Sequence, residues 1–290
     1  MENAENRSLA SAAAGGQATP MSTEAQETYA AAVASMLSQG CGALPFPGRP
    51  VTAAAPGVAT LLANALVPVG TGPIGVEITP DGAFAYVANN GGNTVSVIDT
   101  ATNLVTATVT GLNGPIDVAI TPDGNFVYVT NGNGNTVSVI DTSTNTITGA
   151  PIVVGSNPFE VDITPDGAFA YVANHGSGTV SVIDTSTNLS IATITVGSLP
   201  NGVAVSPDGL TVYVSNSGSG SVSVIDIATN LVTATVGVGS TPIGVVFTPD
   251  GNFAYVATTA PARSVSSTPP PAPRASSPPS TASRPRPVRP

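Results

Sequence analysis

The sequence predicts an all-β fold assembled from a repeated four-stranded antiparallel unit, and three observations carry the prediction. An eleven-residue phrase recurs: TPDGAFAYVAN from Thr79, TPDGNFVYVTN from Thr121, TPDGAFAYVAN from Thr164, SPDGLTVYVSN from Ser206 and TPDGNFAYVAT from Thr248. The copies start 42, 43, 42 and 42 residues apart, a period that suits propeller blades or solenoid turns. Glycine (31) and proline (27) together make up a fifth of the 290 residues, as expected of many short strands joined by tight turns. Helical spacing is absent from the repeats.

Each period holds four segments of strand character. In the first they are GVEIT, FAYVAN, TVSVIDT and LVTATVT, marked by alternation, β-branched residues and bounding turn residues. In T-P-D-G the proline presets φ at the first central position of a turn, and Asp and Gly suit the positions after it. After the third strand, Asp99, Asp141, Asp184 and Asp226 stand where a carboxylate accepts backbone N–H bonds. Asn103, Asn145, Asn188 and Asn230 then fit a left-handed turn position. The gaps are too short for parallel crossovers, so the strands form antiparallel hairpins. Phe84 and Tyr86 lie on one face of the second strand, with Ala85 and Val87 on the other. Sheets with two apolar faces are covered when like units stack around an axis. The expected architecture is a β-propeller of four complete four-stranded blades and a partial fifth, over residues 58–258.

The phrases YVAN, YVTN, YVAN and YVSN, each followed by TVSVID or SVSVID and then TATN, TSTN or IATN, resemble the YVTN-type β-propeller repeat. Residues 71–258 follow that pattern almost continuously. The resemblance implies a bacterial or archaeal secreted, periplasmic or surface-layer protein, with seven-bladed rings as the usual form. Relatives of this type include binding scaffolds as well as lactonase-like and electron-transfer propellers, so it implies fold more firmly than activity.

The flanks depart from the repeat. The amino-terminal segment, 1–57, contains one expected amphipathic helix over about 22–39, opened by a capping-box pattern at Thr23 and Gln26 and stopped at Gly40. Residues 48–57 read as a linker. LLANALVPVGTGP (61–73) resembles the fourth-strand segment NLVTATVGVGSTP (230–242), so it is a candidate closing strand for the last blade. The bland alternative is an open arc, whose exposed edges would favour self-association. From 259 to 290 the chain turns rich in Pro, Ser and Arg without hydrophobic periodicity, a composition expected to be disordered. That switch falls inside a blade, as a proline-rich linker or a frameshift in the coding region would leave it.

Composition excludes several functions. The chain has no lysine, and its seven arginines lie at 7, 49, 263, 274, 284, 286 and 289. Between Arg49 and Arg263 stand thirteen carboxylates. Such a region repels phosphate backbones, because nucleic-acid binding draws on Lys and Arg. One cysteine, Cys41, rules out an intrachain disulfide framework. No stretch approaches the roughly 18 apolar residues of a membrane span, and MENAENRSLA lacks the pattern of a secretory signal.

Residues repeated in every blade serve the blade, so chemistry is sought where the copies differ. At two alternate positions of the first strand the copies read Gly75 and Glu77, Asp117 and Ala119, Glu160 and Asp162, Gly202 and Ala204, Gly244 and Val246. Glu77, Asp117, Glu160 and Asp162 are therefore the candidate metal ligands, gathered near the channel mouth. Carboxylates without cations suit Ca²⁺ or another divalent cation, the former taking about six to eight oxygens; the alternative is solvated acids at a wet channel. His175 is the lone histidine and has no nucleophile motif to serve. No catalytic residue is assigned. The expected function is a non-enzymatic scaffold for a protein or envelope component. A metal-assisted lactonase-like or lyase-like enzyme is one alternative, and an incomplete propeller fragment without function is another.

Overall fold

The structure, a computed structural model, describes residues 66–259, all of them strands and their connections. The helix expected over 22–39, Cys41 and the proline-rich residues from 260 onward lie outside the described residues. Among those described, no helix is long and apolar enough to cross a membrane.

Four complete blades follow one another. The first holds β1 (Pro73–Ile78), β2 (Phe84–Asn89), β3 (Thr94–Asp99) and β4 (Leu104–Val109). The second holds β5 (Pro115–Ile120), β6 (Phe126–Asn131), β7 (Thr136–Asp141) and β8 (Thr146–Val153). The third holds β9 (Pro158–Ile163), β10 (Phe169–Asn174), β11 (Thr179–Asp184) and β12 (Leu189–Thr195). The fourth holds β13 (Pro200–Val205), β14 (Thr211–Asn216), β15 (Ser221–Asp226) and β16 (Leu231–Gly237). A half-blade, β17 (Pro242–Phe247) and β18 (Ala254–Thr258), ends the row. Every sheet is an antiparallel meander in sequence order, and the innermost strands β1, β5, β9, β13 and β17 pack side by side in that order.

The turns form as their chemistry dictates. Thr79 donates its hydroxyl to Asp81 at 2.6 Å, and Asp81 accepts the Ala83 amide at 2.9 Å, while Gly82 takes φ 75°. Without a Cβ, glycine meets no steric penalty there. At the β3–β4 turn Asp99 accepts the Thr102 amide at 2.8 Å, and Asn103 adopts φ 55°; Asn145, Asn188 and Asn230 do the same within a degree or so. The last residue of YVxN pins the second strand to the third. Asn174 donates to Thr179 at 3.1 Å and Ser181 at 2.9 Å, and Asn89, Asn131 and Asn216 make the matching pairs. The fifth copy has Thr258 in this place, and among the described residues β18 has no third strand to pin.

The core lies between blades rather than within them. Tyr86, Ala88, Val95, Val97 and Val109 of the first blade meet Val118, Ile120, Val127, Val129 and Ile140 of the second. The later seams repeat this arrangement. Each seam removes roughly ten apolar side chains from water, at about 1.5–3 kcal/mol for each one fully buried. The expected closing strand is not seen in its described part. Residues 66–70 form no strand, Leu66 is exposed, and the last sheet holds β17 and β18 alone among the described residues.

Candidate functional site

The innermost strand of each blade is bulged. Pro73 pairs with Asn89, but the next partners are Val76 and Val87, so an extra residue stands on β1. The same shift recurs in β5, β9, β13 and β17. A bulge turns a strand and re-aims its side chains. Here the residue it affects is Gly75, Asp117, Glu160, Gly202 or Gly244 in successive blades.

All four predicted acids lie on these strands, half-buried, and each reaches forward to the next blade. Glu77 accepts the Ile120 amide at 2.7 Å, and Asp117 accepts that of Val161 at 3.1 Å. Glu160 and Asp162, two apart on β9, both face the fourth blade and accept from Val203 at 3.1 Å and Val205 at 2.7 Å. Each acid thus has one oxygen engaged at a blade seam, while the four stay near enough to feel one another's charge. Among the described residues, no group of three or more His, Cys, Asp or Glu side chains is placed to hold a metal ion. The adjoining inner strand presents a backbone N–H to each acid, which a carboxylate oxygen satisfies at short range.

Burial raises the proton affinity of these groups. Glu77 is pushed up to about 7, first by desolvation, with Asp162 and Asp117 adding repulsion against the bond from Ile120. Asp117 is pushed up to about 6 by desolvation. Glu160 rises to about 7 by desolvation and then by the charge of Asp117. Asp162 is also raised by desolvation. No Lys or Arg lies within residues 66–259 to offset them. The turn aspartates behave oppositely: hydroxyl and amide donors hold Asp81, Asp123, Asp166 and Asp250 below the usual carboxylate range.

A second seam contact was not legible in the motifs taken singly. Tyr86 donates its hydroxyl to Asn145 of the next blade at 2.7 Å, Tyr128 to Asn188 at 2.6 Å, and Tyr171 to Asn230 at 2.9 Å. The left-handed turn asparagine thus has two roles, and the signal for the second was its recurrence in register with the YVxN tyrosine. Tyr128 and Tyr171 are buried, and desolvation lifts their hydroxyls to about 12.

His175 stands half-buried in the turn between β10 and β11. It stacks on Phe159 with ring centroids 4.5 Å apart and planes at 21°, and burial lowers its proton affinity. A cleft of about 450 Å³ opens between the second and third blades beside Asp123, Phe126, Tyr128 and Asp166. Its carboxylates are engaged by their own turns.

This geometry defines a β-propeller protein, and known proteins agree. Residues 59–153 match the family described as lactonase, 7-bladed beta-propeller. The chain is similar to Kuenenia stuttgartiensis hydrazine synthase, with 34% identity and a TM-score of 0.62, over 68% of this chain and 58% of that one. It is also similar to a functionally unknown protein from Desulfotomaculum acetoxidans DSM 771, with 22% identity and a TM-score of 0.59, over 66% of this chain and 64% of that one. The second likeness bears on fold alone. The chain spans less than two thirds of either structure. No curated protein matches it.

Proposed function

We propose that these blades serve as a non-catalytic binding scaffold of the YVTN-repeat type, presenting a surface to a protein or cell-envelope component. One observation carries the reading: each acid that breaks the repeat spends an oxygen on a backbone amide of the next blade. Groups so engaged hold the seams, whereas a Lewis-acid site needs convergent free donors. An extracellular or envelope location belongs to the same reading and rests on the resemblance of the repeats.

The rival reading is a lactonase-like enzyme, which the family match over residues 59–153 favours. Titration calorimetry with Ca²⁺, Mg²⁺ and Zn²⁺, together with a lactone-hydrolysis assay, separates the two. The scaffold reading expects no saturable heat and no turnover. Stoichiometric metal binding, or hydrolysis lost in the Glu160→Gln, Asp162→Asn double variant, would overturn it.

A further inference from the structure

We propose that the two ends of the blade row are the two halves of one interface, through which a second copy of this chain docks head to tail. The inference is independent of the scaffold reading and rests on the seams themselves. Each seam joins the trailing face of one blade to the leading face of the next, with the same residues in the same register. At the start of the row a complete leading face has no blade before it among the described residues. Val76 and Ile78 are 62% and 56% exposed, whereas their counterparts Val118 and Ile120 are 4% and 7% exposed. At the far end the trailing positions Val246 and Tyr255 are 61% and 51% exposed, against 7% and 3% for Ala204 and Tyr213.

The polar lock of the seam is split the same way. Three tyrosines donate to turn asparagines one blade ahead. Asn103 has the same left-handed backbone as those acceptors, with φ 55° against 54–55° at Asn145 and Asn188. It is exposed, and among the described residues no blade precedes it to supply a tyrosine. Tyr255 is the donor of the half-blade, and no blade follows it among the described residues. Docking the half-blade of one copy on the first blade of another joins Tyr255 to Asn103 and covers Val76 and Ile78 with Val246. The contact continues the inner, two-strand part of an interface that the chain already builds at every internal seam. A head-to-tail contact joins different surfaces, so repeated addition gives a ring where the rotation closes and a filament where it does not.

Sedimentation of the full chain across a concentration series, at roughly physiological ionic strength to screen its acidic surface, tests this. The mass is expected to rise with concentration. Val76→Arg caps the leading end and Val246→Arg the trailing end, and both replace exposed side chains, so circular dichroism should match the parent. Ile78→Lys is a second leading cap should the first misfold. Each capped protein alone is expected to be monomeric, and a 1:1 mixture of the two to form a heterodimer through the faces left intact. Tyr255→Phe should weaken association about two- to tenfold, the effect of one net hydrogen bond. A parent that stays monomeric at every concentration overturns the proposal. So does a capped variant that still self-associates, or a mixture that does not pair.

Discussion

Thr241 holds φ at 49° and Leu199 holds 50°, at a position that Gly72, Gly114 and Asn157 occupy in the first three blades. A β-branched residue in the left-handed region is strained, by roughly 1 kcal/mol or more. Replacing Thr241 with Asn, as blade three already does at Asn157, should raise stability by about 1 kcal/mol, read as a shift in the urea midpoint. The four inner-strand acids set a pH dependence of definite sign. Folding raises their proton affinity, so between the ordinary carboxylate range and about pH 7 the folded state binds more protons than the unfolded one. Stability therefore falls as pH rises through that window. The turn aspartates act in the opposite sense at lower pH, because their depressed proton affinity favours folding above the ordinary range and the benefit is lost on further acidification. Melting temperature should peak near about pH 4, where the two slopes meet. Glu160→Gln keeps an acceptor for the Val203 amide but removes the charge. It should stabilise by up to about 2 kcal/mol at pH 8 and leave pH 4 unchanged, measured by thermal melts at both values.

At the scale of the strand, close approach of neighbours decides which glycines matter. A Cβ on Gly202 would meet the Ile243 carbonyl oxygen at 2.6 Å, whereas one on Gly244 would meet nothing within 4 Å. Gly202→Ala should cost about 1–3 kcal/mol, as overpacking does, and Gly244→Ala should be near neutral; paired denaturant titrations decide. The strands and turns were legible in the sequence because their causes are local: Thr79, Asp81 and Gly82 complete their own turn. The antiparallel order and the two-faced packing followed from alternation and gap length. What escaped was the pairing across seams. Tyr86 meets an asparagine 59 residues ahead, and Glu77 an amide 43 residues ahead. Alternation placed Glu160 and Asp162 on one face, as found, but it could not show that a bulge at each inner strand and the bare amides opposite would draw the acids to seams. The recurrence of YVxN with DTxTN held the Tyr–Asn signal, and only the seam geometry gave it meaning.

For the molecule as a whole, stability is shared out by neighbours, as in other stacked repeats. Among the described residues, the second, third and fourth blades are flanked on both sides, while β1 and the half-blade each have one bare face. Hydrogen exchange should therefore be slowest in β6, β10 and β14 and fastest in β17 and β18, with β1 also fast; uniform protection along the row would contradict that order. The distribution of charge has a practical consequence as well. No lysine exists, and no arginine lies between Arg49 and Arg263. Trypsin cuts after these residues and not before proline, which follows Arg49. Every blade thus resides within a single peptide, Ser8 to Arg263, that the enzyme cannot shorten even when the chain is unfolded. Survival in a tryptic digest says nothing about whether this protein is folded, and chymotrypsin, which has a tyrosine to find in every blade, is the protease that would.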